Sequence, residues 1–264
     1  MGRIIAVTNH KGGTGKSTTA VNLSSALRKR GYDVLIIDAD SQANATETFT
    51  FPDGDGQTLS DALRDRITMF VKPRRIYDTD AGCGVLDIVP STMELAVISN
   101  ALDQAHDTLR LRDVANKYRP WYDFIVIDTP PAPCAISLGA IAAADELIVP
   151  TTPQYLDVHG LTHLSRSVEA VNQHRQTPPV TRVLLTRYDS RRIMHRETAA
   201  SIRETGVFVF DTVIRENVSL AESPYIHRDI FAYSPKSNGA KDYNALCDEY
   251  LSHTPVEHVR HNYR

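Results

Sequence analysis

Short apolar runs alternate along this chain with longer stretches in which apolar residues recur at helical spacing. The runs predict buried strands at residues 4–8, 34–38, 85–89, 124–128, 146–150 and 183–186, with a further candidate at residues 207–213. Helices are predicted at residues 17–30, 58–63, 93–102, 108–117, 135–144, 156–174, 195–205 and 241–253. This alternation is typical of an α/β fold in which helices cover both faces of a mostly parallel, twisted sheet.

The least patterned part of the chain is residues 66–84. Its proline, glycines and charges predict an exposed loop, to which the sequence assigns no role. Nothing in the composition marks a linker, and 264 residues suffice for one large α/β domain. We therefore expect a single domain over residues 1–251 and a short polar tail over residues 252–264.

Composition narrows the range of functions. The formal net charge is −3, from 29 basic and 32 acidic residues, so any contact with nucleic acid must come from a local basic patch. No apolar run approaches ~18 residues and no leader precedes the first strand, which predicts a cytoplasmic protein without a membrane span. The three cysteines, Cys83, Cys134 and Cys247, form no C-x-x-C pair, as is typical of free thiols.

A glycine-rich turn lies between the first predicted strand and the first predicted helix. It consists of Lys11, Gly12, Gly13, Thr14, Gly15, Lys16, Ser17 and Thr18. In such a turn, backbone N–H groups converge on phosphate oxygens, and the helix N-terminus adds positive potential. We expect Lys16 to reach the β- and γ-phosphates and the Ser17 hydroxyl to bind Mg²⁺. His10 stands where the strict motif has its first glycine, so this is a variant P-loop.

The order of residues in this turn is similar to the deviant Walker A motif of the ParA/MinD ATPases, and most similar to that of the ParA/Soj-type partition ATPases. The family has a signature lysine at the position of Lys11. The resemblance implies an ATP-dependent sandwich homodimer, in which Lys11 of each subunit reaches the nucleotide of the partner. A second cation there would stabilise charge on the transferred phosphoryl group, so Lys11 and Lys16 are both candidate catalytic residues. The alternative for Lys11 is an exposed lysine in a surface turn.

Two predicted strands end in aspartates, at the edge where open parallel sheets bind ligands. The segment that begins at Asp38 resembles the family's Asp-x-Asp-Pro-Gln-x-Asn-Ala-Thr segment, with Ser41 where proline is usual. By that resemblance Asp38 supports the Mg²⁺ shell, and Asp40, expected to be solvent-exposed, orients or activates the attacking water. The alternative for Asp40 is an N-cap or turn residue. Asp128 resembles the Walker B aspartate, which holds Mg²⁺ through water.

The resemblance continues through residues 149–161, 185–191 and 212–224, and it covers residues 4 to about 251. It implies that the helix in the first of these segments builds much of the dimer face, for which an ordinary strand-to-helix connection is the alternative. The last segment lies beside the adenine in the family, which makes Arg215 and Asn217 candidate ATP-binding residues. Arg215 stands where the family usually has proline, and Glu216 and Ser219 stand where it often has arginine. A DNA contact made by those arginines would be missing here.

Basic residues cluster in one short stretch. Arg187, Arg191, Arg192 and Arg196 lie within ten residues that hold a single acid, Asp189. Arginines spaced in this way can neutralise DNA phosphates without reading the bases. We therefore predict nonspecific DNA binding by these four arginines. The alternative is a solvated helix face that pairs with Glu197 and Glu204.

Together, these observations favour an ATPase switch that positions plasmid or chromosomal DNA, or another large cargo. The expected cofactors are ATP and Mg²⁺. The expected partners are a second copy of the chain, nonspecific DNA of the nucleoid, and a ParB-like or other adaptor protein. A membrane-surface switch resembling MinD is the alternative, but residues 253–258 supply neither the length nor the apolar face of an amphipathic helix. A reductase resembling the nitrogenase iron protein would need cysteines that bridge a cluster, and only Cys134 lies near the expected switch loop.

Overall fold

The computed structural model describes residues 1–49, 56–64, 70–80, 82–105, 107–173 and 177–254. Its strands are β1 (Arg3–Val7), β2 (Val34–Asp38), β3 (Arg74–Tyr77), β4 (Leu86–Val89), β5 (Phe124–Asp128), β6 (Glu146–Thr151), β7 (Val180–Tyr188), β8 (Phe208–Val209) and β9 (Ile214–Arg215). Its α-helices are α1 (Lys16–Arg28), α2 (Asn44–Glu47), α3 (Leu59–Arg64), α4 (Leu95–Gln104), α5 (Arg110–Asn116), α6 (Ala135–Ala143), α7 (Tyr155–Asn172), α8 (Ile193–Glu204), α9 (Val218–Glu222), α10 (Ile230–Tyr233) and α11 (Asn238–His253). A 3₁₀ turn at Ser223–Ile226 follows α9.

The strands form one sheet in the order β3-β4-β2-β5-β1-β6-β7-β8, and β9 pairs with β7. Within the described residues every pairing is parallel except that of β3 with β4. The prediction of a single α/β domain with a mostly parallel sheet is therefore confirmed. Because β1 lies between β5 and β6, the order of the strands reverses beside it, and such a switch point is where open α/β sheets bind ligands.

Both faces of the sheet are buried, because side chains alternate between the faces along each strand. On β1, Ile4 and Ala6 belong to an apolar cluster that also holds residues of α5 and α6. Ile5 and Val7 belong to a second cluster, on the opposite face, which includes residues of α1 and α11. A strand that is covered on both faces reads as a continuous apolar run, which explains why the central strands could be predicted from the sequence.

The edge strand β3 lies within residues 66–84, so the prediction of an exposed loop is wrong for these four residues. Arg75 forms an ion pair with Asp87 of the neighbouring strand β4. The guanidinium of Arg28 lies 4.9 Å from the centre of the Tyr77 ring. Two of the four residues of β3 are arginines, so the strand produces no apolar run, and its pairing depends on residues distant in the sequence.

The strand predicted at residues 207–213 is much shorter in the structure, where β8 contains only two residues. After β8 the backbone N–H groups of Asp211 and Thr212 donate to the carboxylate of Glu249 on α11, at 2.7 and 2.8 Å. The chain thus leaves the sheet at Asp211 and returns as β9, which pairs with the end of β7.

The C-terminal helix α11 continues past residue 251, where the predicted domain ends. It runs to His253, and the buried Thr254 hydroxyl lies 3.3 Å from an oxygen of Glu146. The remaining tail, residues 255–264, lies outside the described residues, as do residues 66–69 and 81 of the predicted loop. The boundary at residue 251 therefore stays a prediction. Among the helices that the structure describes, none is both long and apolar enough to cross a bilayer.

Candidate nucleotide site

A cleft of about 880 Å³ opens at the carboxyl edge of the sheet, above the end of β1. Its lining includes most of the glycine-rich turn, namely Gly12, Gly13, Gly15, Lys16, Ser17 and Thr18, together with Asp40 and Arg187. Thr14, which the sequence also predicts to bind ATP, is a buried member of the turn and does not belong to this lining. The fold thus brings together most of the residues that the sequence predicted around the phosphates.

Two glycines give the turn its shape. Gly13 and Gly15 have φ angles of +74° and +86°, in the left-handed region that side chains disfavour. The Thr186 hydroxyl at the end of β7 donates to the Thr14 carbonyl at 2.8 Å and fixes the turn from below. Helix α1 starts at Lys16 without an acidic residue in its first turn. Its first N–H groups therefore keep the positive potential that attracts a phosphate.

The ammonium group of Lys16 crosses the turn and donates to the Lys11 carbonyl at 3.0 Å. Lys16 is only 7% exposed. Burial lowers the pKa of Lys16, while Asp128 and Asp40 nearby act to raise it. A buried cation in the lining of the cleft matches the role in phosphate binding predicted for Lys16.

The two strand-end aspartates lie side by side, because Asp38 of β2 is in register with Asp128 of β5. Asp38 accepts hydrogen bonds from the N–H of Asp40 at 3.2 Å, and from the N–H and hydroxyl of Thr46 at 2.8 and 2.7 Å. Both of its carboxylate oxygens are therefore engaged. Burial is the main cause that raises the pKa of Asp38 to about 6, and these hydrogen bonds oppose the rise.

Asp128 lacks this support. It is completely buried, and neither of its carboxylate oxygens has a hydrogen bond of normal geometry within the described residues. Burial and then the neighbouring Asp38 raise its pKa, while the nearby Ser17 hydroxyl and the Lys16 cation act to lower it. A buried carboxylate without a partner is costly unless a ligand completes it. Asp128 and Ser17 therefore fit a Mg²⁺ ion, which binds oxygen ligands and commonly shares them with substrate phosphates.

Asp40 lies in the cleft but is only 6% exposed, so the expectation that it is solvent-exposed is wrong. It lies two residues beyond the end of β2, in the turn that leads to α2. One carboxylate oxygen accepts the N–H of Gln42 at 3.0 Å, so Asp40 does make the turn contact that was considered as its alternative role. Because Asp40 also lines the cleft, its role in orienting or activating the attacking water stays a prediction.

The side chain of Lys11 extends from the turn toward the segment that precedes α7. Its ammonium group donates to Gln154 Oε1 at 3.4 Å, and its backbone N–H donates to Asn9 Oδ1 at 3.0 Å. The family resemblance assigns the helix that follows Gln154 to the dimer face. The structure therefore links the signature lysine to that segment within one subunit, and the action of Lys11 on a partner stays a prediction.

A smaller pocket of about 140 Å³ adjoins the P-loop and is lined by Gly15, Thr18, Arg215, Asn217 and Tyr243, among others. The side-chain oxygen Oδ1 of Asn217 is buried and has no hydrogen-bond partner in the described chain. The guanidinium of Arg215 instead binds Asp242 of α11, with Nη2 and Oδ1 2.6 Å apart. The predicted base neighbours thus lie beside the phosphate cleft, and Asn217 has an acceptor available for a ligand.

The four arginines predicted to bind DNA divide into two groups. Arg187 lines the cleft and has a φ of +50°. The other three lie at the start of α8, and Arg191 and Arg192 form their ion pairs with Asp189 at 3.0 and 3.7 Å. Arg196 donates to the Ser190 carbonyl at 2.7 Å. The side chains of Arg191 and Arg192 remain 88% and 62% exposed, so they can still reach an anionic partner.

Two residues that hold the site were not predicted from the sequence. Thr186 fixes the P-loop from 172 positions away along the chain, and Asp242 binds the loop at Arg215 from α11. Thr186 lies in the segment 185–191 that resembles the family, but the sequence assigns it no role, and Asp242 belongs to no motif. Only the pairing of distant elements reveals what these two residues hold.

Comparison with known proteins identifies the family. The family model described as "AAA domain" matches residues 2–179. The sporulation initiation inhibitor protein Soj of Bacillus subtilis is 34% identical over 257 residues, which cover 94% of this chain and 98% of Soj. The chain belongs to the ParA/MinD family of P-loop ATPases. The chromosome partitioning protein ParA of Myxococcus xanthus is 32% identical to this ParA/MinD-family chain over 259 residues, which cover 95% of this chain and 88% of that protein.

A solved structure extends the comparison to the fold of this ParA/MinD-family ATPase. The crystal structure of cobyrinic acid a,c-diamide synthase from Mycobacterium smegmatis, with bound ATP analogue and magnesium, matches with a TM-score of 0.75 at 26% identity. The match covers 96% of each chain. The name of that protein describes a synthase, so the shared fold alone does not select a cargo or a reaction partner.

Proposed function

We propose that this chain is an ATP-dependent, dimerising switch ATPase that partitions DNA or positions another large cargo. The observation that carries the proposal is Asp128, a buried carboxylate next to Lys16 and Ser17 whose oxygens accept no hydrogen bond of normal geometry in the described part of the chain. Such a carboxylate is stabilised when Mg²⁺ and a triphosphate complete the site. The partition role draws on the names of relatives such as the ParA protein of Myxococcus xanthus.

Different groups of this chain bind the phosphates and the base of ATP. N–H groups around Gly13 and Gly15 and the start of α1 bind the phosphates, and the buried Lys16 cation neutralises them. Bound Mg²⁺, held through Ser17 and Asp128, would neutralise charge on the phosphate oxygens. The amide oxygen of Asn217 accepts a hydrogen bond from the base in the adjoining pocket.

Hydrolysis requires a water in line with the γ-phosphate. Asp40 lines the cleft, and one of its oxygens is held by the N–H of Gln42, which fixes the orientation of the carboxylate. A fixed carboxylate suits phosphoryl transfer, in which positioning and charge count for more than base strength. We expect slow turnover that a partner protein stimulates.

The dimer and its cargo complete the proposal. The Lys11 side chain points to Gln154, in the segment that leads into α7, and in a dimer it would reach the nucleotide of the partner. The basic group at the start of α8, with Arg187 beside the cleft, would then bind nonspecific DNA through phosphates. A ParB-like or other adaptor would stimulate hydrolysis and release the DNA.

A mobility-shift titration tests this function. Purified protein is mixed with a random-sequence duplex in the presence of ATP and Mg²⁺, ADP and Mg²⁺, or no nucleotide. We expect a shift with ATP that is at least about tenfold stronger than with ADP, because only the triphosphate favours the dimer. Equal shifts in all three conditions, or no shift in any, would contradict the proposed DNA switch.

A further inference from the structure

Helix α11 contacts both walls of the small pocket beside the P-loop. One wall is the start of α1, where the buried hydroxyls of Thr19 and Tyr243 lie 3.1 Å apart. The other wall is the loop around Arg215, which binds Asp242. Asp242 and Tyr243 are consecutive residues of α11. One rigid helix therefore sets the distance between the P-loop helix and the loop that carries Asn217.

The contact between Arg215 and Asp242 fixes main chain and side chain together. The backbone N–H of Arg215 donates to Oδ2 of Asp242 at 3.0 Å. The guanidinium donates through Nε to both carboxylate oxygens at 3.1 Å and through Nη2 to Oδ1 at 2.6 Å. Asp242 is only 8% exposed. Forked, charge-assisted contacts of this kind restrict geometry strongly, so the loop has little freedom at Arg215.

Asn217 lies two positions beyond Arg215 along the chain. It precedes α9, and the helical N–H of Leu220 donates to its carbonyl at 3.2 Å. Its buried side-chain oxygen has no partner within the described residues and lies among the lining of the pocket. An acceptor in that position is satisfied by a ligand that donates. The exocyclic amino group of adenine is such a donor, whereas guanine carries an acceptor oxygen at the equivalent position.

We propose that Asp242 is a positioning residue for the nucleotide base: by clamping Arg215, it holds Asn217 where the amide oxygen selects adenine over guanine. This inference rests on the proposed binding of ATP. Proline, which the family usually has at the position of Arg215, offers neither an N–H nor a side-chain donor. The clamp is therefore a feature of this chain and does not follow from the family resemblance.

The clamp can be separated from general stability because helix α11 offers a matched control. Asp248 on the same helix binds Arg30 through Nε at 2.7 Å, and its side chain is 68% exposed. That ion pair joins α11 to the end of the P-loop helix, away from the pocket lining. Asp248→Ala thus removes another ion-paired carboxylate from α11, a more exposed one, and leaves the loop at Arg215 untouched.

The test is calorimetric titration of the full chain with ATP, GTP and tripolyphosphate. We expect Asp242→Ala to lower the affinity for ATP at least about tenfold, since the loss of a charged hydrogen bond has about this effect. The affinities for ATP and GTP should then lie close together. Tripolyphosphate, which needs only the P-loop, should bind within about twofold of wild type. Arg215→Ala should have a smaller effect in the same direction, because its N–H still donates. Asp248→Ala should change none of the three affinities.

The double variant Asp242→Ala with Arg215→Ala should bind ATP only slightly more weakly than Asp242→Ala alone, because the two residues act as one unit. An Asp242→Ala protein that still prefers ATP over GTP as wild type does would overturn the proposal. Equal weakening of ATP, GTP and tripolyphosphate would also overturn it, because that result describes a general loosening. If Asp242→Ala does not fold, Asp242→Asn and Arg215→Ala provide the same test. A wild-type protein that binds tripolyphosphate but not ATP would overturn the proposed function itself.

Discussion

The phosphate side of the cleft and the arginine side are built in different ways. The phosphate side lies on the central strands β1, β2 and β5, and its charged groups are buried: Lys16 is 7% exposed, and Asp38 and Asp128 are fully buried. The arginine side lies beyond residue 180, and its charges at the start of α8 are largely exposed. Buried charges interact strongly and tolerate little change, whereas exposed charges are screened by water and salt.

This difference predicts how strongly each side responds to substitution. Loss of one group on the phosphate side should abolish a function, because the low dielectric makes the free energy of each electrostatic contact large. Loss of one arginine should only modulate binding, since several weak contacts act together. The predictions below test this contrast, in order of expected effect.

The largest effect is expected for Lys16→Ala. This change removes the buried cation and its hydrogen bond to the Lys11 carbonyl. ATP affinity should fall by at least about 100-fold, because each hydrogen bond to a charged group contributes roughly 1.5–3 kcal/mol. Isothermal calorimetry measures it, and Arg203→Ala, on the distant helix α8, is the control. Unchanged affinity would refute the phosphate role of Lys16.

The next effect concerns Asp40, for which Asp40→Asn separates two roles. The amide retains an oxygen that can accept the N–H of Gln42, so the turn contact survives, while the charge toward water is lost. We expect turnover to fall about 100-fold, with ATP affinity within about threefold of wild type. Phosphate release is measured under saturating ATP. Turnover within a few-fold of wild type would leave Asp40 with its turn role only.

A moderate effect is expected from the arginine group. Replacing Arg191, Arg192 and Arg196 together by alanine should flatten the plot of log DNA affinity against log salt. The full loss of three phosphate contacts would change the slope by about 3, and the ion pairs with Asp189 reduce this toward about 1. Fluorescence anisotropy at several salt concentrations measures the slope. If it is unaltered while the dimer is intact, the DNA face lies elsewhere, and Arg228, Lys236 and Lys241 are the next candidates.

The smallest effects concern stability without nucleotide, and here the two neighbouring aspartates should differ in sign. Asp128→Asn removes a buried carboxylate whose pKa is raised by burial and by Asp38, and whose oxygens accept no hydrogen bond of normal geometry in the described chain, so it should raise the melting temperature. Asp38→Asn replaces an acceptor of three hydrogen bonds and should lower the melting temperature. We expect the free energy of unfolding to fall by about 1–3 kcal/mol. Thermal unfolding in the absence of Mg²⁺ measures both. Two shifts of the same sign would contradict the assignment of different environments to these carboxylates.

The contrast between the two sides also explains what could be read from the sequence. The turn around Gly13 and Gly15 is a local motif, and the apolar strands that carry Asp38 and Asp128 are continuous, so both could be predicted. The burial of Asp40 could not, because it depends on how the chain folds around the end of β2. Strand β3 could not be predicted either, because its two arginines interrupt any apolar run. Nor could the role of Asp242, whose partner Arg215 is 27 residues away in sequence.

The central claim is that ATP assembles two copies of this chain through Lys11, and one measurement tests it directly. Light scattering on the wild type with ATP and Mg²⁺ should show a dimer. The Lys11→Ala protein should bind ATP with nearly unchanged affinity, because Lys16 supplies the cation to its own phosphates, and should remain a monomer that does not hydrolyse ATP. A Lys11→Ala protein that forms the full amount of dimer and hydrolyses ATP at the wild-type rate would contradict the account.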